Sequence, residues 1–235
     1  MQQVIDFLSE LALHNDREWF NAHKEDYLKA KNTFDTFACE LIKGVKEFDP
    51  SIGNLTLKDC TYRIYRDLRF SKDKSPYKTH MGMFIAPGGK KSGFSGYYFH
   101  ISGITNENGD YGNHMIAVGD YMTEPKVLKL IREDILLGNG DFREIMSKVD
   151  HRLYLDSTGA LKKVPQGFDK DSPDAEYFKL KRFCLVAIPD QKFILRKDLV
   201  KELLKIFKST KPYLDYINRA IEYSKEDNTE YLIDF

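Results

Sequence analysis

Between Thr61 and His80 the chain reads TYRIYRDLRFSKDKSPYKTH. Arg63, Arg66, Arg69, Lys72, Lys74 and Lys78 stand there against only Asp67 and Asp73, a local balance of +4 in a chain whose formal net charge is +0. Arginine forks bind phosphate or carboxylate oxygens bidentately, and lysines add point charges. Tyr77, Ser71, Ser75 and Thr79 supply neutral donors beside them. These residue types suit a site for a small anionic ligand. Asp67 and Asp73 are candidate general bases, but so many cations nearby should lower their pKa values and favour orienting roles.

A second polar set lies in GYYFHIS, residues 96–102. Read as a strand, it puts Tyr97, Phe99 and Ile101 on one face and Tyr98, His100 and Ser102 on the other. Tyr98 and His100 are therefore expected to orient a ligand or move a proton, facing Arg63. The alternative is a half-exposed antiparallel face. Extended backbone at residues 61–67 would hold Arg63, Tyr65 and Asp67 on one side, and Tyr62, Ile64 and Arg66 on the other. Beyond Asp67, Pro76 and the aperiodic charges predict a loop.

Other chemistry is poorly supported. The six histidines show neither HxH nor HxxxH spacing, and HExxH is absent. His100, His114 and Asp110 could meet across neighbouring strands, but the default is a packed histidine, and no metal or cofactor is expected. Cys60 precedes the basic stretch, where cations could activate its thiol. The GGKKS of PGGKKSGFSG lacks the glycine spacing of a phosphate-binding loop and its Lys-Ser/Thr ending. Trp19 is expected to staple a helix to the core.

The elements that must carry these residues follow from periodicity. Val4, Ile5, Leu8, Leu11 and Ala12 predict a first helix. Asn15, three residues before Glu18, predicts a capped second helix running to about Phe48, with Pro50 and Gly53 ending it. TYRIYR, MGMFIA, GYYFHIS and NHMIAVG predict four strands, mostly antiparallel. Thr123 and Pro125 open another helix that Gly138 ends, and GDFREIMSKV predicts a short one. HRLYLD and RFCLVAIP read as strands. Two helices close the chain, with Pro212 between them. The fold class expected is α+β: one domain of 235 residues with a mostly antiparallel sheet packed by N-terminal and C-terminal helices.

At 42% hydrophobic and 31% charged, the composition is globular rather than disordered. Balanced charge argues against a nucleic-acid coat or a membrane-surface binder. No apolar run approaches a membrane span, and Asp6 and Glu10 interrupt the start as no secretory signal would. Three dispersed cysteines without a CxxC pair predict a reducing, cytoplasmic location.

REWF from Arg17, YRDLRFSKDKSPYKTH from Tyr65 and LKKVPQGFDKDSP from Leu161 occur in that order. The chain resembles, over residues 3–213, the domain-of-unknown-function 2461 family of conserved hypothetical bacterial proteins. The resemblance implies that Arg63, Arg66, Asp67, Arg69, Phe70, Lys72, Asp73, Lys74, Pro76, Tyr77 and Lys78 belong to a family signature, as do Trp19, Pro165, Gly167 and Lys181. It implies no reaction. Two departures are plain: IAVGDYM keeps only Gly119 of a glycine-rich run, and Ser172 stands where the family often has His.

Three functions compete on these residues. One is a small-ligand site, with or without a reaction, that holds a phosphate or carboxylate group. Another is single-stranded nucleic-acid binding, with Tyr62, Tyr65, Phe70 and Tyr77 stacking bases, disfavoured by the short patch. The third is a structural or interaction protein whose arginines pair internally with acids such as Glu18, Glu40 or Glu176.

Overall fold

The computed structural model describes residues 1–69, 73–104 and 113–230, with the side chains of 227–230 excepted. The expected helices form where apolar residues recur on one face. α1 spans Gln2–Leu13 and buries Val4, Ile5, Phe7, Leu8 and Leu11. The long second helix is divided. α2 is Arg17–Ala22, and α3 is Lys24–Phe48 after an interruption at His23. The cap of α2 is Asp16, whose carboxylate accepts from the Trp19 amide at 2.8 Å. Asn15 has another use. Its side chain donates to the Tyr77 carbonyl at 3.0 Å and accepts from the Tyr77 amide at 3.1 Å. That pair of bonds ties the end of the basic loop to the helical layer.

A 3-10 turn at Pro50–Ile52 and a one-turn helix α4, Leu57–Cys60, lead to the basic stretch. The sheet follows. β1 is His80–Ile85, β2 Gly96–Ser102 and β3 Met115–Asp120. Helices α5, Pro125–Leu137, and α6, Asp141–Ser147, come next. β4 is the short Tyr154–Leu155, α7 is Ala175–Lys179 and β5 is Phe183–Ala187. α8, Gln191–Ile194, α9, Leu199–Ser209, and α10, Lys211–Glu230, complete the chain. Pro212 lies in the first turn of α10, where a missing N–H leaves no bond unmade.

Five strands pair antiparallel in the order β1-β2-β3-β5-β4. The register stacks Met83, Phe99, Ile116 and Ala187 across one face. Met81, Ile85, Tyr97, Ile101, Val118 and Leu185 share that face, all buried, and α1, α3 and α10 pack against the sheet. α9 backs α3, and its Phe207 ring sits 5.1 Å from that of Tyr97. Among the described residues no helix is long and apolar enough to cross a membrane. The architecture is α+β.

TYRIYR does not join the sheet as a strand. It makes only isolated bridges, Thr61 to Met83 and Tyr65 to Tyr77. Backbone N–H groups donate from Tyr62 to Gly82 O (3.1 Å), Arg66 to Pro76 O (3.0 Å) and Lys78 to Ile64 O (2.8 Å), and keep it extended. The physical reason is that only Ile64 of these residues is buried, so no continuous apolar face fixes a ladder.

Candidate functional site

The extended segment 61–65 forms one wall of a groove of about 990 Å3. α3 supplies Tyr27, Lys31, Phe34 and Asp35; α4 supplies Lys58 and Asp59. The β1–β2 turn brings Lys90 and Lys91, and the approach to β1 brings Lys78 and His80. Six cationic side chains thus face two acids, and both acids are engaged. Asp35 pairs with Lys31. The Asp59 carboxylate accepts from Thr56 N at 2.8 Å and Thr56 Oγ1 at 2.6 Å, capping α4.

Several of these cations lack such partners, Arg63 and Lys78 among them. Neither the Arg63 guanidinium nor Lys78 Nζ has a hydrogen bond or ion pair among the described residues. Lys78 Nζ lies 5.4 Å from the Tyr62 ring centroid, and Lys90 Nζ lies 5.9 Å from the same ring. Partial burial, aided by the Arg63 charge, pushes the Lys78 ammonium below its usual range. Lys90 is fixed by its backbone N–H, which donates to Asp59 O at 2.9 Å, and by its ammonium on the Lys58 carbonyl. Burial, with Lys78 and Arg66 nearby, lowers His80 to about 4, so its imidazole is neutral near pH 7.

The other cations of the stretch turn to their own loop. Arg66 pairs with Asp73. Arg69 grips Asp67 through Nε at 3.0 Å and Nη2 at 2.6 Å. Lys74 Nζ donates to the Leu68 carbonyl at 3.0 Å. These partners lie two to seven residues away within the loop itself. Hydrogen bonds from Arg69 hold Asp67 at about 2, so it stays ionised and accepts no proton near neutrality. Tyr77 is buried, its ring stacked 4.0 Å from Phe20; with Arg66 it borders a separate cleft of about 250 Å3. Lys72, Phe70 and Asp110 lie outside the described residues.

Tyr98 and His100 stand behind the groove rather than on its wall with Arg63. The Tyr62 ring is 6.4 Å from Tyr98, and the His80 ring is 4.9 Å from His100. His100 Nε2 is 2.6 Å from the Asn113 carbonyl, which can only accept, so that nitrogen carries the proton. Nδ1 then accepts from the Tyr98 hydroxyl at 2.9 Å. Burial raises Tyr98 and lowers His100 to about 3. The pair is a closed, neutral hydrogen-bonded unit. Beside it the Ser102 amide donates to His114 Nδ1 at 3.1 Å.

These neutral histidines set an acid response. A group with a depressed folded pKa binds its proton more readily when unfolded, so its contribution is complete above about pH 6.5 and shrinks as pH falls. For His100 the loss runs from about 6.5 towards 3, at no more than about 1.4 kcal/mol per pH unit. Urea midpoints should therefore fall between pH 6.5 and 4.5, and His100→Gln should flatten that fall. Equal slopes in both proteins would overturn the assignment.

Cys60 is fully buried, and that burial raises its thiol to about 12, which removes it as a nucleophile. Trp19 packs near Phe7 (6.1 Å) and stacks on His23 at 4.1 Å, away from the groove lining. Lys58, Lys90 and His80 were missed as partners of Arg63. The loop bearing Lys90 held a signal, paired lysines beside glycines, but only sheet pairing brings it to Arg63.

No curated protein matches the chain, and no solved structure matches it. The family model described as "Conserved hypothetical protein (DUF2461)" matches residues 3–216, which include Arg63, Lys78, Lys90 and every other residue of the groove. With nine-tenths of its length inside that match, the chain belongs to the DUF2461 family of conserved hypothetical proteins.

Proposed function

We propose that the groove binds a small ligand carrying a phosphate or carboxylate group, held by Arg63, Lys78 and Lys90. The observation that carries this reading is the pairing pattern. The acids at the groove are spent on Lys31 and Thr56, while Arg63 and Lys78 have no acid partner among the described residues. Cations facing a concave surface attract anions, and a guanidinium adds directional donors. The volume of about 990 Å3 exceeds one phosphate group and leaves room for an organic body against Tyr62, Tyr65 and Phe34.

Titration calorimetry with orthophosphate, pyrophosphate, nucleotides and citrate tests the reading. At least one should bind at millimolar concentration or below, with affinity falling as salt rises. Arg63→Ala should raise its Kd on the order of tenfold, about 1.4 kcal/mol. Absence of binding by all of them, or equal binding by Arg63→Ala, would overturn it.

A second reading rests on the exposed rings of Tyr62 (42%) and Tyr65 (51%) beside these cations. Aromatic platforms in a basic groove bind single-stranded nucleic acid by stacking. An oligonucleotide that binds more tightly than its mononucleotides would favour this reading.

A further inference from the structure

We propose that the Lys78 amine is a nucleophile that forms an imine with the carbonyl carbon of an aldehyde or ketone whose phosphate or carboxylate group is held by Arg63. The assignment of the anionic handle rests on the groove reading above; the nucleophile rests on separate observations.

Lys78 lines the groove half-buried, and its Nζ has no hydrogen-bond acceptor and no carboxylate among the described residues. A lysine kept for charge pairing would have one. Its backbone N–H donates to Ile64 O at 2.8 Å, so the side chain starts from a fixed backbone position. Burial and Arg63 favour the uncharged amine, the form that has a lone pair to donate. The neutral His80 imidazole shares the groove wall, close enough for the Lys78 charge to affect it. Two groups thus meet, an anion handle and an amine, with a neutral imidazole beside them.

The step balances without an oxidant or reductant. The nitrogen lone pair forms a bond to the carbonyl carbon, and the C=O π pair moves to oxygen. One proton moves from nitrogen to oxygen, directly or through water, giving a carbinolamine. Loss of water then leaves a C=N bond. The products are the imine and one water molecule.

Pyridoxal 5′-phosphate with borohydride trapping, read by peptide mass mapping on the full chain, tests this. Borohydride reduces the C=N bond and fixes the label. Lys78 should be labelled at least tenfold faster than the mean of the other lysines, and pyridoxal without phosphate should label it about tenfold more slowly. Lys78→Arg, checked for an unchanged melting temperature, should lose the fast label. Labelling of Lys78 no faster than other lysines, in protein that still binds orthophosphate through Arg63, would overturn the nucleophile and leave the anion site standing. Fast labelling at Lys78 by both aldehydes alike would overturn the anionic handle and leave the nucleophile standing.

Discussion

Replacing Asp49 with alanine is expected to destabilise the protein by about 3–5 kcal/mol, the cost of removing one partner from a buried charged network. Asp49 follows the last residue of α3 and is 2% exposed. Its Oδ1 accepts from Ser51 N at 3.2 Å and Ser51 Oγ at 2.5 Å, which starts the 3-10 turn. Its Oδ2 accepts from the hydroxyl of Tyr97 on β2 at 2.8 Å, and Lys211 Nζ at the start of α10 lies 3.5 Å from Oδ1. One carboxylate therefore joins two helices to the sheet. Alanine would strand a tyrosine hydroxyl in a core position that is 1% exposed. Asp49→Asn keeps an acceptor and should cost less; Tyr97→Phe, which deletes one bond, should also cost less. Urea unfolding of the three variants checks the order. A loss under about 1 kcal/mol for Asp49→Ala would show that the network adds nothing.

Gly119→Ala should be at least as damaging, costing more than about 3 kcal/mol or preventing folding. Gly119 lies on β3 between Gly96 of β2 and Cys184 of β5, with φ +121. A Cβ there would sit 2.2 Å from the Phe183 carbonyl oxygen, a backbone atom of the paired strand that has nowhere to go. Strain in φ and collision with the sheet therefore add. Gly53 separates the two effects, because its φ is +69 but a Cβ would meet nothing within 4 Å. Gly53→Ala should cost about 1–3 kcal/mol, the strain of its backbone conformation alone. Thermal melts of both variants make the comparison, and equal losses would refute the collision argument. Strand packing thus requires glycine at position 119.

The apolar periodicities were legible in the sequence. α1 and α9 follow their buried stripes, because a helix that packs on one side must repeat its apolar residues every three or four positions. β2 follows its alternation, with Tyr97, Phe99 and Ile101 inward as a period of two requires. The antiparallel β1–β2 hairpin was legible from the Pro-Gly-Gly connection between two apolar runs. Residues 61–66 were misread as a sheet strand for a reason that lies outside the segment. Its aromatic and β-branched content suits a strand, but whether a neighbour is free to pair is decided by the rest of the fold.

The basic stretch divides along the same line. The sequence alone determined that six cations stand between Arg63 and Lys78, that Asp67 and Asp73 lie among them, and that Pro76 breaks the extended chain. Short separations then made local pairing accessible, and Arg66 with Asp73 and Arg69 with Asp67 took it. Only the tertiary structure decided that Arg63 and Lys78 look into a groove, since its other walls come from α3, α4 and the β1–β2 turn. It also decided that His80 and not His100 lies on that wall, because strand pairing places His100 behind it. Charge is a property of composition and is written in the chain; the side to which a charge is presented depends on what packs beside it, and that is set by contacts distant in sequence.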